Sequence, residues 1–148
     1  KMVPYIVLKN SRDQDVSLRS LAGKKVVIFF YPKDFTPGCT IEANEFNALH
    51  PQFQKAGIEV FGLSRDSVSS HDKFRCKFDF GYELLADTDE KVCKAFDVIK
   101  LKNMYGKMVL GVQRSTFIID ESGKIAAEFR KVKPEGHAQE MLNAAKKL

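Results

Sequence analysis

The 148-residue chain has no tryptophan and only three cysteines, Cys39, Cys76 and Cys93. Three scattered thiols are too few to staple a small secreted scaffold, and an odd number leaves at least one unpaired within the chain. No two lie within four residues of each other, so neither a Cys-x-x-Cys dithiol nor the paired spacing of a zinc site is present. The longest apolar run is VVIFFY at 26–31, far short of the roughly 18 to 20 residues that a membrane-spanning helix needs. Basic residues do not form a stripe. The formal charge of +5 arises from 24 Lys and Arg against 19 Asp and Glu, with lysines single or paired and acids between them. Solubility accounts for that pattern, so neither nucleic acid nor a membrane surface is expected as a partner. The first residues show no secretory succession, and a cytoplasmic protein is expected.

What the chain does contain is enough for one globular domain over 1–148: 44% hydrophobic residues, 29% charged and twelve phenylalanines to fill a core. Residues 5–8 read as a first short strand and 17–23 as a turn-like element closed by Gly23. The β-branched and aromatic run at 26–31 reads as a strand buried on both faces, ended by Pro32. From Gly38 the pattern turns helical, with Phe46, Leu49, Phe53 and Ala56 on one stripe and Gly57 as the stop. A second buried strand is predicted at 58–63 and a helix at 67–80. A brief extended piece falls at 84–86, followed by a short helix to Phe96 capped by Asp87 or Thr88. After a less regular stretch, 112–119 and 124–129 flank Asp120-Glu121-Ser122-Gly123 as a hairpin. Pro134 and Glu135 open a last helix. Strands alternating with helices predict an α/β protein with a central, mostly parallel sheet, an antiparallel edge hairpin and helices on both faces. A thioredoxin-like fold fits this order.

The most informative segment is YPKDFTPGCTIE at 31–42. A buried strand ends, a proline-bracketed loop turns, and Cys39 sits in the first turn of the next helix. Active sites of open α/β sheets collect at the carboxyl ends of strands. A helix amino terminus offers unpaired N–H groups and the positive end of its dipole, which favour a thiolate over a thiol. Thr36 lies near enough across the turn to reach the sulfur or a bound oxygen. Pro32 and Pro37 restrict the loop. A Cys–His hydrolase would need a partner among His50, His71 and His137; none has a motif context, and surface or helix positions are expected for them.

The spacing Pro32-x-x-x-Thr36-x-x-Cys39 resembles the active-site motif of the peroxiredoxins. The surrounding segment is similar to the bacterioferritin comigratory protein (peroxiredoxin Q) subgroup, and the likeness continues through SRDSVSSHDKF, LLADTDEKVCKAFDVIK, NMYGK and GVQRSTFIID. It covers most of the chain. The resemblance implies a thiol peroxidase acting on hydrogen peroxide and organic (alkyl) hydroperoxides, without metal or cofactor. Cys39 would be the peroxidatic nucleophile, becoming a sulfenic acid. Thr36 and the amides near Gly38 and Cys39 would bind the peroxide oxygens, Arg114 would stabilise thiolate and transition state, Pro32 would shield the sulfur, and Glu42 would orient the arginine. Many members carry a resolving cysteine five residues after the first; that position here is Asn44. Others carry it in the next long helix, where this chain has Cys76, one residue later than the usual place because Arg75 intervenes. The resemblance therefore implies a Cys39–Cys76 disulfide recycled by thioredoxin. The alternatives are resolution by an external thiol such as glutathione or glutaredoxin, or a non-enzymatic, holdase-like role. Cys93, amid Val92, Ala95 and Phe96, reads as a core filler. A monomer is expected, since no exposed heptad or carboxyl-terminal arm is evident.

Overall fold

The computed structural model of the protein describes residues 6–148 other than Ala22. Tyr5, the start of the first predicted strand, lies outside the described residues. The central element is β3 (Lys25–Phe30). Its side chains alternate between faces, as the two-residue period of a strand requires. Val27 and Phe29 join one core cluster, together with Tyr31 just beyond the strand, while Val26, Ile28 and Phe30 join the other. That is why the run reads as uniformly apolar rather than alternating.

β3 leads into α1 (Pro37–Lys55), β4 (Ile58–Ser64), α2 (Val68–Phe78) and β5 (Glu83–Ala86). β3, β4 and β5 pair in parallel. Helix α2 is capped by Ser67, whose Oγ accepts from the Ser70 amide at 3.1 Å. The short α3 (Lys91–Ala95) follows. Asp87 anchors it by accepting from the amides of Val92 and Cys93 at 3.1 and 2.7 Å, from a position ahead of the formal cap. The chain closes with β8 (Ser115–Ile119), β9 (Ile125–Arg130) and α4 (His137–Lys146). Phenylalanines of α1 and α2, with Met141 and Leu142 of α4, cover one face of the sheet; Val92 and Cys93 of α3, with Phe96 just beyond it, cover the other.

Three expectations are corrected. The seven-stranded sheet, ordered β2-β1-β5-β4-β3-β8-β9, is parallel only across β3, β4 and β5. The amino-terminal strands β1 (Val7–Asn10) and β2 (Asp15–Ser17) add antiparallel pairs on one side, and β8 and β9 add them on the other. The sheet is mixed rather than mostly parallel, because strand pattern carries no direction and only β3-α1-β4 and β4-α2-β5 are crossovers. Second, the stretch read as irregular is a separate hairpin, β6 (Ile99–Met104) and β7 (Lys107–Val112), which turns at Tyr105 and Gly106 with φ of 54° and 84°. Third, Ala56, placed on the apolar stripe of α1, is exposed at the helix end. The three histidines all lie on helices, one of the two positions expected for them, and all are buried.

Candidate active site

The parallel pairing of β3 continues one residue past its end, with the Tyr31 amide donating to Leu63 O at 3.1 Å. Pro32 then stops it. Helix α1 starts with Thr36 as an extended cap and Pro37 in its first turn. Pro37 has no N–H, and the Thr40 amide is taken up by Thr36 O at 2.9 Å. The amides of Gly38 and Cys39 are thus the orphan donors of this helix start. Cys39 is buried at their level. The Thr36 hydroxyl donates to Lys33 O at 2.8 Å rather than to the sulfur, which leaves its oxygen able to accept from a bound hydroperoxide.

The register Phe30↔Ser115 between β3 and β8 brings the residue before β8, Arg114, alongside the loop that leads to Cys39. Its Nη2 donates to Cys39 Sγ at 3.4 Å and its Nη1 to Glu42 Oε1 at 2.8 Å. One planar guanidinium therefore joins the thiol to a carboxylate one turn further along α1. Burial opposes the arginine's charge, but Glu42 and Cys39 together raise its pKa further. Glu42 is fully buried and its Oε2 has no hydrogen-bond partner among the described residues. Burial drives its carboxyl up to about 7 against the pull of Arg114. Gly38 makes the approach possible: a Cβ there would stand 3.1 Å from Arg114 Nη2 and 3.4 Å from Pro134 Cγ.

A cavity of about 390 Å³ opens over Cys39. Pro32, Thr36, Gly38 and Arg114 line one side, and Lys102, Val109, Leu110, Gly111 and Val112 of the β6–β7 hairpin line the other. Hollows of about 510 and 470 Å³ elsewhere are lined by residues such as Gln52, Lys55, Lys24 and Glu59 and hold no nucleophile. The hairpin residues were missed by sequence reasoning. The alternation Ile99-Lys100-Leu101-Lys102 followed by Gly106 was the signal that could have found them.

Pro32, Thr36, Gly38, Cys39, Glu42 and Arg114 thus converge. Cys76 stands apart: it is exposed on α2, with Sγ near Arg75 Nη2 (3.6 Å) and Asp72 Oδ1 (3.7 Å). The segments bearing the two thiols nevertheless touch. Phe35, four residues before Cys39, packs on Phe74 with ring centroids 5.0 Å apart, and the Lys77 ammonium lies 5.8 Å from the Phe35 ring. Cys93 is buried in the second core cluster. Its thiol is pushed well up, first by burial and then by Asp87, which suits an inert filler.

Between the loop and α2 lies a buried polar cluster. Asp34 accepts from Tyr31 Oη (2.6 Å), Ser70 Oγ (2.8 Å) and His71 Nδ1 (2.8 Å), and its own amide donates to Asp66 Oδ2 (2.9 Å). His71 Nε2 reaches Leu85 O at 2.9 Å. Asp34, Asp66 and His71 lie close enough to share a metal ion, but each already has protein partners, which fits a structural tie better than a ligand set.

An AhpC/TSA family model matches residues 1–128. Peroxiredoxin Bcp of Xanthomonas campestris is 54% identical over 139 residues, 94% of this chain and 87% of that protein. Peroxiredoxin Bcp of Bacillus subtilis is 42% identical over 145 residues, 98% of this chain and 92% of that protein. A solved structure of the Xanthomonas campestris bacterioferritin comigratory protein, determined to study its alkyl peroxide reduction, superposes with a TM-score of 0.92. It is 52% identical and covers 96% of this chain and 90% of that one. No helix among the described residues is long and apolar enough to cross a membrane. Agreement over nearly the whole length places the chain in the AhpC/TSA family, among the peroxiredoxins of the Bcp type.

Proposed function

We propose that Cys39 is the peroxidatic nucleophile of a thiol peroxidase that reduces hydrogen peroxide and alkyl hydroperoxides. The observation that carries this reading is the buried Cys39 sulfur at the start of α1, with Arg114 Nη2 at 3.4 Å. The thiolate attacks one oxygen of the O–O bond, the S–O bond forms as O–O breaks, and the other oxygen leaves as hydroxide or alkoxide and takes a proton. The products are Cys39 sulfenic acid and water or an alcohol. Arg114 offsets negative charge on sulfur and departing oxygen, while the Gly38 and Cys39 amides and the Thr36 hydroxyl hold the peroxide in line. Pro32 closes the mouth of the cavity, and Glu42 fixes the plane of the guanidinium.

Cys76 then attacks the sulfenic sulfur, giving a Cys39–Cys76 disulfide and water, and thioredoxin reduces the disulfide by thiol exchange. The contact of Phe35 with Phe74 and Lys77 on either side of Cys76 supports this pairing. One thiol is buried and the other exposed, so the first turn of α1 must open for the sulfurs to meet. We read the protein as a monomer of the cytoplasm, where thiols stay reduced. Peroxide loss measured with thioredoxin, its reductase and NADPH tests the reading. Turnover disappears in Cys39→Ser, and Cys76→Ser keeps one round of Cys39 oxidation but loses thioredoxin-dependent cycling. Full cycling by Cys76→Ser with glutathione or glutaredoxin would assign resolution to an external thiol.

A further inference from the structure

The two thiols of the proposed reaction have the same kind of neighbour. Cys39 faces the Arg114 guanidinium, which is paired in turn with Glu42 on α1. Cys76 faces the Arg75 guanidinium, which is paired in turn with Asp72 on α2. In this second group Arg75 Nη2 stands 3.6 Å from Cys76 Sγ and 3.0 Å from Asp72 Oδ1, and Sγ is 3.7 Å from the same oxygen. Cation, carboxylate and sulfur form a small triangle on the helix.

Consecutive residues of a helix point about 100° apart, so an arginine does not ordinarily meet the side chain beside it. Arg75 does so because it is held sideways. Its Nε donates to Ser11 Oγ at 2.9 Å, and that hydroxyl donates to Glu83 Oε1 at 2.8 Å. Ser11 is buried just beyond β1, and Glu83 opens β5 and also pairs with Arg12. The guanidinium is therefore fastened to the main sheet, with only 18% of its side chain exposed. A charge held in place this way gives up little freedom when an opposite charge forms beside it, unlike a wandering surface side chain.

Attack by Cys76 needs a thiolate, because the thiol is a poor nucleophile. Asp72 opposes negative charge on the sulfur, but its own charge is offset by the same Nη2. The charged groups around Sγ are thus Arg75 and Asp72 from α2, with Glu83 and Arg12 behind Ser11 on the sheet side.

We infer that Arg75 is a catalytic residue of the resolving half-reaction, stabilising the Cys76 thiolate both as it attacks and as it leaves. The inference rests on the reading of Cys76 as the resolving thiol. In the attack, Cys76 loses its proton to water and its sulfur bonds to the Cys39 sulfur as the S–O bond breaks. The departing hydroxide takes a proton and becomes water. In the reduction, a thiolate of thioredoxin bonds to the Cys39 sulfur and the Cys76 thiolate departs, faster the better its charge is stabilised.

The test mixes reduced protein rapidly with one equivalent of hydrogen peroxide, then uses acid quench and mass spectrometry to follow Cys39 sulfenic acid and the Cys39–Cys76 disulfide. The rate constant for disulfide formation is read against that for Cys39 oxidation in the same trace. In Arg75→Gln this ratio falls about fivefold, the upper end for a charge pair open to solvent. Arg75→Lys, which keeps the charge, recovers most of it. In a Cys39→Ser background, alkylation of Cys76 by iodoacetamide slows by a similar factor in Arg75→Gln. A ratio unchanged in Arg75→Gln would overturn the inference, and so would an equal fall in Arg75→Gln and Arg75→Lys, which would leave the arginine as an anchor alone. A wild type that oxidises Cys39 without forming the disulfide would instead remove the resolving role of Cys76 beneath it.

Discussion

The two walls of the Cys39 cavity are built differently. One is made from the main sheet: the end of β3, the start of α1 and Arg114 at the foot of β8. Its groups are buried and tied to one another, with the Glu42–Arg114 pair at 2.8 Å. The other wall is the β6–β7 hairpin, a two-stranded sheet of its own, which leaves Leu101, Met108 and Leu110 more than 60% exposed. A reaction that needs a sulfur, a guanidinium and a peroxide aligned belongs on the first kind of wall, where packing fixes each rotamer. The second wall can change in sequence without disturbing a core.

Substitutions can separate the walls. Cys39→Ser on the sheet side should abolish peroxide turnover; residual cycling above the uncatalysed rate would mean another nucleophile. Arg114→Met should slow single-turnover oxidation of Cys39 by about 10² to 10³-fold, the usual cost of losing one charge-stabilising donor. A loss under tenfold would show that the helix amides suffice. Glu42→Gln tests the buried carboxylate by stability against pH. Because burial raises the folded-state pKa of Glu42 from 4.5 to about 7, the folded protein holds this proton more tightly than the unfolded chain. The contribution is therefore complete below pH 4.5 and is lost as pH rises through about 7. Urea unfolding should show the wild type losing on the order of 1 to 3 kcal/mol relative to Glu42→Gln across that window, and parallel curves would contradict it. On the hairpin side, Leu101→Ser should change unfolding free energy by only about 0.5 kcal/mol or less. A larger cost would show that the hairpin is part of the cooperative core.

The sheet-side wall was legible in the sequence because it is strongly patterned. VVIFFY, the proline-bracketed loop and the apolar period of α1 each report a buried element, and Cys39, Thr36 and Gly38 follow from their positions along it, whereas Glu42 came from the resemblance. Arg114 came from the resemblance around Gln113-Arg114-Ser115, since an arginine before an edge strand carries no periodic signal. The hairpin was missed because Leu101, Met108 and Leu110 face solvent, so alternating Ile99, Leu101 and lysines did not resemble a core strand. Strand direction was misjudged because side-chain pattern is the same in either sense; only the connections decide it. The burial of the histidines went unread for a related reason. His71 and Asp34 are brought together by contacts 37 residues apart in the chain, which no local spacing reveals.

The Asp34 cluster also determines where motion can start. Three donors from two separate elements converge on one carboxylate. Pulling residues 31–34 away from α2 would strand that carboxylate and an imidazole inside the protein. Phe35, by contrast, has a positive φ of 65° and is 46% exposed, and it meets α2 through its ring, against Phe74 and Lys77. If Cys39 moves toward α2 as proposed, Asp34 stays as the fixed pivot and the moving arm begins at Phe35.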